Sequence, residues 1–242
     1  MSSPRLERLN VWILRLLLLT LLALLALMAL YFYQGGWDRL RTSRTMAKFF
    51  PGEVFQGPQV AIISGHRGFD SGAVCQDGLM EAVVNANIAE GVEKRLQKQG
   101  VAVTLLDEYD LRLEGLHARA LLSIHADSCI DESGFKVASA KATALSAEDA
   151  ALVNCLRIHY SKATGLSFRS TSITRDMTEY HAFQRIADDT PAAIIETGYL
   201  GGDRALLQDH PDTAAAGIAA GILCFLDKQD VRTKTPSPSQ LP

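Results

Sequence analysis

The sequence predicts an α/β domain, a mostly parallel twisted sheet flanked by helices on both faces, preceded by one N-terminal transmembrane helix. Three observations lead there. Short apolar runs of strand length alternate with stripes of helical period through the middle of the chain, the pattern of repeated strand–helix units. Apolar residues, 48% of the 242, are concentrated toward one end in a charge-free run from Leu16 to Tyr33. Segments rich in turn residues lie on either side of the alternating region and bound it to residues 59–228.

Residues 1–10 read as a short N-terminal segment and residues 11–33 as the membrane span. At about 1.5 Å per residue, Leu16 to Tyr33 makes a helix of roughly 27 Å, close to the thickness of a hydrocarbon core. Val11 to Leu14 lengthen it if Arg15 snorkels to the headgroups, and Tyr31, Tyr33 and Trp37 fall where an aromatic belt lies. A cleaved signal peptide competes with this reading. Its apolar region would be unusually long, and no A-x-A site precedes Gln34-Gly35-Gly36, so an uncleaved signal anchor is expected. Charge does not orient it, because Arg5, Arg8 and Arg15 on one side face Arg39, Arg41, Arg44 and Lys48 on the other. Residues 34–58, with Gly35-Gly36, Pro51-Gly52 and Gly57-Pro58, read as a stalk.

Within residues 59–228 the first strand is Val60-Ala61-Ile62-Ile63, breaking at Ser64-Gly65. A helix follows over Leu79 to Gln99, its stripe made by Met80, Val84, Ile88, Val92 and Leu96 and its end by Gly100. Val101 to Leu106, Leu121 to Ile124 and Phe135 to Ala138 are the next strands. Ser146 is placed to cap a helix through Leu152, Leu156 and His159 that ends near Gly165. Ala192 to Ile195 is a buried strand, and Asp212 or Thr213 opens a final helix with Ile218, Ile222 and Phe225 on one side. The Ala-rich stretch Ala214 to Ala220 fits close helix packing. Residues 229–242, with Thr235-Pro236-Ser237-Pro238-Ser239, form a disordered tail.

Composition excludes several classes. A charge of −3, from 24 Lys and Arg against 27 Asp and Glu, argues against a nucleic-acid partner. Four Cys without a Cys-x-x-Cys are too few for a disulfide scaffold. No internal repeat marks a solenoid or propeller. No G-x-S-x-G elbow accompanies Ser64 or Ser123, which argues against a serine hydrolase.

Open α/β sheets build their sites at the carboxyl ends of the strands. There this chain places His66-Arg67-Gly68, His125-Ala126-Asp127 and Glu196-Thr197-Gly198, with Glu81 in the first turn of the first helix. Two His and one Glu form a ligand set for catalytic zinc with water in the open position, and Glu196 is then free to take that water's proton. Each residue also has a structural explanation. A His after a strand is commonly a loop residue, Glu81 suits a helix N-terminus, and Glu196 fits a buried carboxylate paired with an Arg. Tyr180-His181 precede the Glu196 strand, either lining the cleft or as an ordinary loop. His117, His159 and His210 show no such companions.

Ile62-Ile63-Ser64-Gly65-His66-Arg67-Gly68 through Asp70-Ser71-Gly72-Ala73 resembles the glycine-rich opening of zinc-dependent N-acetylmuramoyl-L-alanine amidases, the bacterial cell-wall amidases. The similarity continues with Glu81, with Ser123-Ile124-His125-Ala126-Asp127, and with Pro191 to Leu200, so that it covers about Gln59 to Leu226. It implies that His66, Glu81 and His125 bind Zn2+, that Glu196 is the catalytic glutamate, and that the amide between N-acetylmuramic acid and L-alanine of the peptidoglycan stem is hydrolysed. Three departures stand out. Arg67 replaces a frequent second Gly, Asp127 a common Asn, and the stretch between the second strand and His125 is shorter than usual, with Arg112 the only residue resembling the family's arginine there. Thr164 to Ile186 is placed to cover the cleft.

The resulting expectation is a membrane-anchored zinc amidase, single-pass in the bacterial cytoplasmic membrane through residues 11–33. Its catalytic domain lies on the extracytoplasmic side, where peptidoglycan is the partner; no activating protein is assigned. The alternatives are a catalytically silent cell-wall-binding or regulatory domain of the same fold, and a zinc peptidase cutting another wall amide. Four Cys allow three complete pairings, and sequence does not choose among them. If His66, Glu81 and His125 share a zinc, the loops bearing Cys75 and Cys129 come side by side, and in an oxidising compartment a bridge there persists. That pairing is expected, with Cys155 and Cys224 left as unpaired, apolar-like residues in helical stripes.

Overall fold

The computed structural model describes residues 4–31 and 59–234. The expected stalk at 34–58, Tyr33 and Trp37 of the expected belt, and residues 235–242 of the expected tail lie outside the described residues. The chain divides into two compact units, split between Phe55 and Gln56.

The first unit contains one helix, α1 (Pro4–Tyr31). It starts ahead of the expected span, because Pro4 fits the first helical position, where its missing N–H costs nothing. Trp12–Leu30 has a mean hydropathy of 2.7 and none of it is buried.

The second unit runs β1 (Val60–Ser64), α2 (Glu81–Lys98), β2 (Val103–Leu106), β3 (Ala120–Asp127), β4 (Lys136–Ala138), α3 (Ser146–Thr164), α4 (Arg175–Thr178), β5 (Ala192–Tyr199) and α5 (Pro211–Lys234). The five strands form one sheet in the order β2-β1-β3-β5-β4. All neighbours are parallel except the edge strand β4, which runs antiparallel to β5.

Strand side chains alternate between faces. Val60 and Ile62, Leu122 and Ile124, and Ala193 and Ile195 pack with Ile88, Leu156, Ile218 and Ile222 of the three long helices. Ala61 and Ile63, Leu121, and Ala192 and Ile194 turn to the other face. There the cover comes from α4 and short helical turns, through Leu113, Met177 and Ala182. Helices therefore flank both faces, the long ones on one side and the short ones on the other.

Small residues let α5 sit deep in the helical layer. A Cβ on Gly217 would lie 2.9 Å from Ala163 Cβ, and one on Gly221 2.8 Å from Leu156 Cα. That close approach corrects one expectation. Cys155 of α3 and Cys224 of α5 are joined in a disulfide with Cα atoms 5.9 Å apart, so neither is a free thiol. Each Cys falls in its own helical stripe, and only the pairing of the two helices brings them together.

Element ends differ from expectation in three places. β3 and β5 run on past their apolar stretches through Asp127 and Tyr199, because the ladder continues with His125 opposite Glu196. Leu145, not Ser146, is the N-cap of α3, and its side chain makes no capping bond. α5 continues to Lys234, held by Arg119, which donates to the Leu226 carbonyl, Gln229 and Asp230 at 2.5–3.1 Å.

Candidate active site

The site forms at the carboxyl edge of the sheet, where the loop after β1, the first turn of α2 and the ends of β3 and β5 meet. His66 follows β1 with φ +65°, the one non-glycine residue with positive φ among the described residues. Its N–H donates to Glu108 Oε2 (2.8 Å), and its Nδ1 lies 2.5 Å from Asp70 Oδ1. Two glycines make room for the Glu81 and His125 side chains. A Cβ on Gly65 would lie 2.5 Å from the His125 ring, and one on Gly72, at φ +60°, 2.6 Å from Glu81 Oε2.

Glu81 Oε1 lies 3.2 Å from His66 Nε2 and 3.3 Å from His125 Nδ1. The same oxygen accepts from Asn85 Nδ2 (3.1 Å) and the Ala126 N–H (3.2 Å), while Oε2 accepts from the Ala73 N–H (3.1 Å). His66, Glu81 and His125 each offer a ligand atom, all within 4.8 Å of one another. Two imidazoles and a carboxylate at this spacing, with glycines cut back around them, fit a divalent cation of the zinc type.

Electrostatics bind the three together. The hydrogen bond with Glu81 raises His66 to about 9 against its own desolvation. Burial opposes ionisation of Glu81, but the hydrogen bonds from His125 and His66 hold it well below the carboxylate range.

Glu196 is the cross-strand neighbour of both His125 and Lys136, so the three side chains form one row over β3, β5 and β4. Its Oε2 is buried and has no hydrogen-bond partner. Burial pushes its carboxyl up to about 7; His125 and Lys136 pull it down, Glu81 and Asp127 push it up. Lys136 pairs with Asp127, and no salt bridge joins Glu196 to an Arg among the described residues.

The departures noted in the sequence are answered locally. Asp127 has Lys136, and Arg67 Nε lies 2.5 Å from Asp107. Arg112 bonds Asp110 and the Leu105 carbonyl.

Tyr180 and His181 both reach the site through a residue that sequence reasoning passed over, Glu108. Its Oε1 accepts from the Tyr180 hydroxyl and contacts His181 Nε2, each at 2.8 Å. Its Oε2, besides the His66 N–H, faces His125 Nε2 at 3.5 Å. Burial opposes its charge, but His181, His125, the His66 N–H and Tyr180 lower it to about 2. Glu108 lies just past β2, so the carboxyl-end rule that marks His66 and His125 marks it too. Asn85, one helical turn after Glu81, was readable from that spacing. Lys136 had only the signal of a Lys inside an apolar strand.

Cys75 and Cys129 are joined, their Cα atoms 5.5 Å apart, linking the loop before α2 to the segment after β3. His117 pairs with Asp189 at the surface (2.8 Å) and is not among the residues that cluster with His66, Glu81 and His125.

A family model described as N-acetylmuramoyl-L-alanine amidase matches residues 60–224. No curated protein matches the chain. Among solved structures, the N-acetylmuramoyl-L-alanine amidase AmiC2 of Nostoc punctiforme is 25% identical with a TM-score of 0.54, over 69% of this chain and 96% of that one. The catalytic domain of CwlV, an N-acetylmuramoyl-L-alanine amidase from Bacillus (Paenibacillus) polymyxa var. colistinus, is 24% identical with a TM-score of 0.51, over 69% and 97%. The CwlD amidase of Clostridioides difficile, solved in complex with the GerS lipoprotein, shares the fold at 17% identity and a TM-score of 0.55, over 71% and 99%. With the family model spanning the whole sheet and every residue of the cluster, the chain belongs to the N-acetylmuramoyl-L-alanine amidase family.

Proposed function

We propose that this chain is a zinc-dependent, membrane-anchored amidase that cleaves the bond between the lactyl group of N-acetylmuramic acid and the L-alanine of peptidoglycan stem peptides. The observation that carries the reading is the convergence of His66, Glu81 and His125 with Glu196 directly across the ladder from His125. His66, Glu81 and His125 would hold the ion. Held there, zinc would supply a Lewis acid for the scissile carbonyl and for the attacking water. Glu196, poised near 7 by burial, takes the proton of the attacking water and returns it to the leaving amine. Asp70 bonds the His66 ring, as carboxylates behind metal-bound histidines do, and Glu108 faces the His125 ring at 3.5 Å.

Family membership supports action on the cell wall, and α1 supports anchoring: residues 11–33 in the cytoplasmic membrane, 34–58 as a stalk, and the catalytic domain from 59 on the extracytoplasmic side. The test is digestion of purified peptidoglycan by the zinc-loaded full chain in detergent. An intact stem peptide with a free L-alanine amine is expected. A cut elsewhere in the wall would indicate a peptidase, and no product a silent wall-binding domain.

A further inference from the structure

Two aromatic rings at the rim of the cleft have no part in the chemistry above. Phe69 and Tyr109 are 64% and 49% exposed, and they meet edge to face with centroids 4.6 Å apart. Both are fixed in place. The Phe69 N–H donates to the His66 carbonyl (3.0 Å), a turn that keeps the two Cα atoms within about 7 Å. Tyr109 stacks on His181, 4.2 Å between centroids at 23°, and His181 is held by Glu108.

The cations beside the rings are paired, Arg67 with Asp107, Arg112 with Asp110 and Arg185 with Glu114, and Asp70 is bonded to the His66 ring. Rigid exposed rings present contact area at small entropic cost, and here they do so one turn from a metal ligand.

We propose that Phe69 and Tyr109 form a stacking platform for the sugar of the substrate, the pyranose that carries the lactyl group; this rests on the amidase reading. A pyranose offers a face of C–H groups to an aromatic ring. Joined through an ether and an amide, it carries no charge and suits a surface whose neighbouring charges are already paired. A stem peptide, with its carboxylates and backbone amides, calls instead for cations and hydrogen-bond donors.

The test compares two ligands with one stem, a muramoyl peptide and a D-lactoyl peptide lacking the sugar. Binding is measured by calorimetry on the zinc-loaded full chain in detergent, in a Glu196→Gln background. The sugar-bearing ligand binds more tightly, and Phe69→Ala with Tyr109→Ala collapses that preference by about tenfold; Phe69→Tyr with Tyr109→Phe preserves it. Equal weakening of both ligands would assign the rings to the peptide. An unchanged preference with a lowered melting temperature would make them a brace between loops. Either result overturns the platform. Product analysis on the unaltered chain judges the amidase reading separately: cleavage with an unchanged preference sinks only the platform, and a collapsed preference without cleavage sinks only the reaction.

Discussion

Replacing Glu196 by Gln keeps its shape and removes its capacity to take a proton. The expected loss in rate is at least about a hundredfold, with zinc content by mass spectrometry unchanged; retained activity would place the base elsewhere. His66→Ala and His125→Ala should instead purify without zinc, since two ligands hold the ion poorly. Glu108 gives a finer test. Glu108→Ala removes the acceptor that fixes the His66 backbone and faces the His125 ring, so zinc affinity in chelator competition should fall by roughly tenfold to a hundredfold. Tyr180→Phe strips one donor from the far oxygen and should leave it within about threefold. His66, Glu81, His125 and Glu196 were legible because each sits where an α/β sheet builds its sites. Glu108 was hidden in an acidic run, Asp107-Glu108-Tyr109-Asp110, that reads as solvated loop, and the fold shows that this member is buried against the His66 N–H, the Tyr180 hydroxyl and the His181 ring.

Between α3 and α5 two effects oppose each other at Gly221. Alanine is the better helix former by about 1 kcal/mol, but its Cβ would meet the Leu156 Cα at 2.8 Å, a backbone atom that cannot rotate away. Overpacking of this kind costs about 1–3 kcal/mol, so Gly221→Ala should lower the urea midpoint with the slope unchanged; a raised midpoint would show slack between the helices. The two disulfides span 54 and 69 residues, long enough for each to contribute about 2–4 kcal/mol. Alkylation of the unreduced protein should therefore add no mass, and reduction should lower the melting temperature. The strand–helix order was legible from periodicity. The ends of β3 and β5 were not, because apolar pattern stops at Ile124 and Ile195 while backbone pairing continues through polar residues. Contacts between distant helices, Cys155 with Cys224 above all, leave no trace in local pattern.

At the scale of the whole chain, α1 and the domain make separate predictions. If the helix stays attached, membrane fractions should hold protein that keeps residues 1–33 and resists carbonate extraction; a mature N-terminus between Leu30 and Trp37 would reveal a cleaved signal peptide. The class of fold was legible from the alternation of elements, but not the placing of the long helices on one face, since a stripe says that a helix is buried and not where. The two-residue period of β3 has a further consequence. Ile124 faces the helical core and His125 the His66–Glu81 cluster, so deleting one residue between Ala120 and Ile124 while the pairing to β1 is kept moves each to the opposite face, sending the imidazole into hydrocarbon and leaving the methyl of Ala126 where the imidazole stood. Metal uptake at the proposed site would thus gauge strand alignment: a chain that binds zinc there has counted its residues correctly.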